Sequence, residues 1–330
     1  ARKQGVWIFV LDISGSNVHD MLPIVFHPDY VTPLPPGHRF PMNKFQRIHD
    51  ILIRDRIIAP EQIHPPNVAE ARLICNAHTR AYTQSYLHGS IDAKAMRRIG
   101  LPWSRELVTR TCTAVGGTLL TAELALEHEM ACNTAGGTHH AFRDYGSGFC
   151  IFNDLAITSL ELLNRNRVNQ IVIIDLDVHQ GDGTAAILRN EPRVYTFSMH
   201  CQSNFPFTKQ KSDRDISLPD EMGDADYLEI LQGHLPALLD SLSPDLVLYD
   251  AGVDPHKSDR LGKLALSDEG IYIRDRMVME ACARRRIPVA AVVGGGYSDN
   301  FDELAYRHSL LHRAATAVFN HCILEQREHI

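Results

Sequence analysis

The chain has 330 residues, 44% hydrophobic and 22% charged, a balance that excludes a disordered or fibrous protein. A formal charge of −7 gives no basic footprint for nucleic acid, and no apolar run approaches the ~18–20 residues of a membrane span. Seven cysteines, odd in number and without a Cys-x-x-Cys pair, exclude a disulfide framework and point to a reducing, cytoplasmic compartment.

Residues 1–20 are expected to be an N-terminal extension outside the fold. The apolar segment Val6–Leu11 is too short for a signal peptide and Asp12 interrupts it. Leu22–Phe26 reads as a first short strand, followed by a Pro-rich loop to Pro41. Asn43 is placed to cap a helix running to about Ile58. Pro60 to Pro66 break the pattern, Thr79–Leu87 read as a short helix, and a long amphipathic helix runs from Ser104 to about Leu126. Gly116-Gly117 in its middle cost about 1 kcal/mol each against alanine, which implies close packing on a neighbour.

From residue 129 strands and helices alternate. Strands are expected at 129–133, 171–178, 193–199, 245–250 and 289–293, and helices at 154–165, 224–240, 268–286 and 301–319. Near-continuous apolar strands in alternation with helices predict an α/β fold, one domain over residues 21–330, with a parallel sheet covered by helices on both faces. Ligands bind such sheets beyond the carboxyl ends of the strands. Four of these strands lead directly into residues capable of chemistry: His139-His140 after Gly136-Gly137, His179 and Asp182, Asp254, and Tyr297 after Gly294-Gly-Gly.

The segment 171–183, Ile-Val-Ile-Ile-Asp-Leu-Asp-Val-His-Gln-Gly-Asp-Gly, is the most informative. Asp175, Asp177 and His179 stand at i, i+2 and i+4, so a continuous strand would project all three to one face. Buried carboxylates and imidazole on one face are costly unless compensated, and a cation is the simplest compensation. One such carboxylate alone would be read as a helix cap or an arginine partner. The set of three, followed by Gly-Asp-Gly, favours a metal site. Asp177, His179 and Asp254 make an Asp₂His set of the kind catalytic zinc uses with one position open, although Fe(II), Mn(II) or Co(II) also suit carboxylate-rich ligands. Asp254 alone would be an ordinary cap before Pro255.

Adjacent histidines after Gly-Gly are better explained as acid/base groups beside the metal than as core residues. Asp175 is assigned to orient His139, and Asp182 to orient His140. Tyr297 is placed to offer its hydroxyl to a developing oxyanion. Together these groups describe activated water attacking an amide carbonyl, outside the His-Glu-x-x-His proteases.

His139-His140, Gly148-Phe149-Cys150 with Asn153-Asp154, Asp175-Leu-Asp-Val-His179-Gln-Gly-Asp182-Gly, Asp254 and Gly294-Gly-Gly-Tyr297 resemble the zinc-dependent histone deacetylase family over about residues 22–320. Asp259-Arg-Leu-Gly-Lys-Leu looks most like its class IV branch and bacterial relatives. The resemblance implies an arginase-like fold with an eight-stranded, mostly parallel sheet and one catalytic Zn2+ on Asp177, His179 and Asp254. It implies His139 and His140 as the acid/base pair, and Tyr297 as the transition-state hydroxyl. Gly148 and Phe149 would line the acyl-lysine channel, with Phe205 on the opposite wall and Leu261 at the mouth. A structural K+ would use Asp175, backbone oxygens of Asp177 and His179, and Ser198. Gln180 replaces a histidine often found there, and no residue matches the rim aspartate of larger members.

The leading expectation is a hydroxamate-sensitive hydrolase removing acetyl or other acyl groups from lysine ε-amines of proteins. The alternatives are a deacetylase of a small acylated amine such as an acetylpolyamine, and a non-catalytic acyl-lysine-binding scaffold. A binuclear manganese ureohydrolase needs further bridging ligands, and His139-His140 with Tyr297 are not its parts.

Overall fold

Apolar runs rich in β-branched residues become the central strands, and the segments between them bury one apolar stripe each as helices. The computed structural model describes residues 21–324, so the expected extension over residues 1–20 lies outside the described residues. The elements in chain order are β1 (Ile24–Val25), α1 (Lys44–Arg54), β2 (Ile63–His64), α2 (Ala71–Ile74), α3 (Arg80–Leu87), α4 (Ala93–Ile99), α5 (Arg105–His128) and β3 (Met130–Asn133). There follow α6 (Asp154–Asn164), β4 (Ile171–Asp175), α7 (Asp182–Leu188), β5 (Val194–Cys201), β6 (Arg214–Leu218), α8 (Asp224–Leu242), β7 (Leu246–Asp250), α9 (Asp268–Ala283), β8 (Val289–Val292) and α10 (Phe301–Val318).

The strands form one eight-stranded sheet in the order β2-β1-β3-β8-β7-β4-β5-β6, with every pairing parallel. This is the expected α/β, arginase-like architecture. The four strands that lead into the candidate site residues, β3, β8, β7 and β4, are consecutive in the sheet, so their exit loops converge. Helices α1, α10, α9 and α8 pack in series, and α5 and α6 pack together with α7 on α6.

Gly116 and Gly117 sit where α5 meets its neighbours. A β-carbon would lie 1.9 Å from the Asn67 carbonyl oxygen at the first and 2.0 Å from the Tyr30 hydroxyl at the second. Close approach explains both glycines.

Several expected boundaries change. The first strand shrinks to two residues. Asn43 precedes α1 without a side-chain capping bond, and the helix stops at Arg54 because Arg56 turns left-handed at φ +55. The largest change concerns residues 176–178, which were expected to continue the strand with His179 just beyond it. Asp175 Oδ1 accepts the Asp177 N–H (3.1 Å), Asp177 Oδ1 accepts the His179 N–H (2.9 Å) and Asp254 Oδ1 accepts the Val178 N–H (2.8 Å). Side-chain carboxylates take the donors that a neighbouring strand would need, so β4 ends at Asp175. Asp182, between Gly181 and Gly183, opens α7.

Candidate metal and acid/base centre

The site begins with the loops that hold it. Arg274 on α9 is fully buried and donates through one guanidinium nitrogen to Leu176 O (3.2 Å) and Gly252 O (2.7 Å), tying the β4 and β7 exits together. Asp154 accepts from the N–H groups of Gly137 (3.1 Å) and Thr138 (2.8 Å), and Asn153 donates to His139 O (3.3 Å). The β3 exit is thereby fixed just before the histidines. Asp259 accepts from the N–H groups of Tyr297 (2.6 Å), Leu261 (2.8 Å) and Gly262 (3.0 Å), fixing the β8 exit.

Asp177, His179 and Asp254 are buried, and each offers a ligand atom within 4.8 Å of the others. His179 Nδ1 lies 2.9 Å from Asp177 Oδ1 and 3.1 Å from Asp254 Oδ2. Asp254 Oδ2 is an orphaned buried acceptor, and the Gly295 N–H donates to Asp177 Oδ2 (2.7 Å). Burial alone would depress the His179 imidazole, yet these two carboxylates raise it to about 10. Burial and the Asp177 charge push Asp254 up to about 7. Two carboxylates and an imidazole drawn onto one point fit a divalent cation of the zinc type. At Gly295 a β-carbon would lie 2.1 Å from Asp254 Oδ2, so only glycine fits at this position.

His139 Nδ1 is 2.8 Å from Asp175 Oδ2, and His140 Nδ1 is 2.7 Å from Asp182 Oδ1. Both rings thus leave Nε2 free, with His139 Nε2 3.8 Å from Asp177 Oδ1. The ring centroids are 4.1 Å apart. Their environments split the pair. Burial opposes charge on both, but Asp175 and Asp177 hold His139 well above the ordinary imidazole range. Burial and the charge of His139 bring His140 down to about 4. A pair divided in this way can supply one proton acceptor and one cation.

Tyr297, Phe149, Gly148, Phe205 and Leu261 all line one cavity of about 520 Å³ with the histidines, Asp177 and His179. Gly148 is at φ +53, and a β-carbon there would meet the His140 ring at 2.7 Å and Phe205 at 3.2 Å. Burial, together with the Asp254 and Asp177 charges, holds the Tyr297 phenol well above its usual range, so it remains a donor. Ser198 stands in register with Asp175, and its hydroxyl lies 2.9 Å from His200 Nδ1.

Three neighbours of the site were not singled out from the sequence. Buried Lys44 at the start of α1 donates to Gly294 O (3.2 Å) and Gly296 O (3.4 Å), under the loop bearing Tyr297. Arg274 reads as one more charge on a helix. Asp250 ends β7 fully buried, with neither oxygen hydrogen-bonded, and forms with His139 and Asp175 a second convergent set of ligand-type atoms. A carboxylate closing an apolar strand, as Asp175 closes β4, was the one available hint of it.

Residues 38–312 match the histone deacetylase domain. The chain is 56% identical over 297 residues to an uncharacterized protein of Picosynechococcus, covering 90% of this chain and 99% of that protein. It is 29% identical to histone deacetylase 2 of Arabidopsis thaliana, over 79% of this chain and 70% of that one. It is also 29% identical to the acetoin utilization protein AcuC of Staphylococcus aureus, over 71% of this chain and 66% of that protein. Among the described residues no helix is long and apolar enough to cross a membrane. With the domain matched across most of its length on an arginase-like sheet, the chain belongs to the histone deacetylase family.

Proposed function

We propose that this protein is a zinc-dependent amidohydrolase that removes acetyl or other acyl groups from the ε-amine of lysine. The observation that carries the reading is that His139, His140, Asp177, His179 and Tyr297 line one cavity, with Asp254 completing the candidate metal set and Asp175 and Asp182 each bonded to one of the two histidines behind it. Asp177, His179 and Asp254 would hold the metal, which when bound would lower the pKa of water and polarise the acyl carbonyl. His140, neutral and oriented by Asp182, takes the proton of the attacking water and later passes it to the leaving amine. His139, paired with Asp175, stays cationic and offsets the negative charge that develops beside it. Tyr297 donates its hydroxyl to the oxyanion. Phe149 and Phe205 shield the lysine stem, and Leu261 borders the entrance. A structural potassium at Asp175, Ser198 and the backbone oxygens of Asp177 and His179 belongs to the same proposal, as does placement with the class IV branch.

The test is turnover of a fluorogenic acetyl-lysine substrate by zinc-loaded protein, with metal analysis on the same sample. His140→Ala and Tyr297→Phe should each keep the fold and lower kcat roughly 10²- to 10⁴-fold. Unchanged rates in either variant would remove the mechanism. Two manganese ions per chain would point instead to a ureohydrolase. A hydroxamate should bind at micromolar concentration through the open coordination position, and absence of binding would count against zinc.

A further inference from the structure

The chain carries a formal charge of −7, yet the entrance to its cavity is lined by cations. Arg39, Arg98 and Lys263 are exposed lining residues, whereas Asp177 is the sole acidic residue of the lining and lies buried at the floor. Arg39 rests over the Phe149 ring at 5.1 Å and Arg98 over the Tyr145 ring at 4.6 Å. Neither guanidinium has an ion-pair partner among the described residues. Lys263 reaches Ser203 Oγ (3.0 Å) and, at 3.8 Å, the exposed carboxylate of Asp220. Asp144 shares the surroundings of Tyr145 with Arg98 but does not line the cavity.

We propose that this entrance selects acyl-lysines whose flanking residues are acidic. The inference rests on the deacylase reading given above and names its substrate class. The amide at the floor is neutral and the lysine stem is aliphatic, so charge is read only where the flanking residues emerge beside Arg39, Arg98 and Lys263. The aromatic faces under the two arginines hold them at the rim, with their remaining N–H groups free to meet carboxylates. A protonated polyamine or a lysine- and arginine-rich segment would instead bring like charges to the same place, which works against binding. Phe207, 89% exposed at this rim, offers an apolar surface to the neighbouring main chain.

The experiment uses zinc-loaded full chain and three peptides that share one acetyl-lysine and differ in acidic, neutral or basic flanks, with N-acetylputrescine as a fourth substrate. At about 50 mM salt kcat/KM should fall from acidic to neutral to basic, roughly three- to tenfold per step, and the spread should shrink at about 0.5 M salt. Arg39→Glu with Arg98→Glu should reverse the order, and because the readout is a ratio within one protein it is insensitive to partial loss of folded material. Equal rates on all three peptides or an order unchanged in the double variant would overturn the proposal while leaving the deacylase reading standing; preference for N-acetylputrescine over every peptide would overturn the proposal and, with it, lysine as the substrate. Failure on every substrate would overturn that reading, and this inference with it.

Discussion

Asp250 stands opposite Asp175 in the β4–β7 ladder, yet His139 bonds only one of them: its Nδ1 is 2.8 Å from Asp175 Oδ2 and 3.6 Å from Asp250 Oδ2. The neighbouring backbone explains the difference. Asp250 Oδ1 is enclosed by Gly137 and Gly294, where β-carbons would lie 2.6 and 2.2 Å from it, and neither oxygen receives a hydrogen bond. A buried carboxyl without donors is stable only as the neutral acid.

Replacing Asp250 by asparagine tests this. Burial, then the charge of Asp175, hold the Asp250 carboxyl well above the usual range. A raised folded-state value contributes stability below the unfolded value and loses it as pH rises through the folded value. An amide in its place does not titrate and has nothing to lose in that window. The melting temperature of Asp250→Asn relative to the wild type should therefore improve between about pH 5 and pH 9. A difference that stays constant across that range would show that Asp250 is held as a carboxylate, because a group ionised in both folded and unfolded states adds no pH dependence there.

Gly148 couples backbone conformation to the site. Alanine at φ +53 costs about 1 kcal/mol in the backbone alone. Its β-carbon would also press on His140 and Phe205. Gly148→Ala should remain folded with a modestly lower melting temperature, while kcat/KM falls roughly 10²-fold because the His140 ring is displaced. A variant that loses stability but keeps full activity would place Gly148 outside the reacting geometry.

Asp182 orients His140 and pulls its pKa upward against burial, which with His139 holds it near 4. Asp182→Asn removes that pull. The acidic limb of the kcat/KM profile should move to lower pH, and the plateau should fall roughly 10- to 100-fold from loss of orientation. An acidic limb that moves to higher pH, or stays in place, would assign it to another group.

Much of this site was legible because its parts lie beside apolar strands that periodicity finds easily. The strands β3, β4, β5, β7 and β8 are buried runs, and the candidate site residues stand just beyond four of them. The short edge strand β2 and the half-exposed β6 lack such a run and were not readable. Asp175, Asp177 and His179 lie close together, though not as one face of a continuous strand. Asp177 and His179 are positioned by side-chain bonds to backbone N–H groups beyond the strand end, not by the pleat. Lys44 was invisible because nothing local distinguishes a lysine at a helix start from a solvated one. Its role exists only through glycine carbonyls some 250 residues away in the chain.

Lys44 gives the last prediction. Its ammonium joins Gly294 O and Gly296 O, on either side of the Gly295 N–H that bonds Asp177 and directly before Tyr297. One side chain therefore supports both the tyrosine and a ligand of the metal set. Lys44→Met keeps the apolar stem in contact with the core but leaves both carbonyls without this donor. Such a loss should act through the position of Tyr297, so kcat should fall roughly 10- to 100-fold with a smaller change in KM. Arginine, which also offers donors, should recover part of the rate. Burial brings Lys44 down to about 8, against the raising pull of Asp254 and Asp177, so its charge is lost as pH rises through about 8. Wild-type kcat should decline across that range, and Lys44→Met should lack that step. An identical alkaline limb in both proteins would show that the Tyr297 loop holds its place without the ammonium.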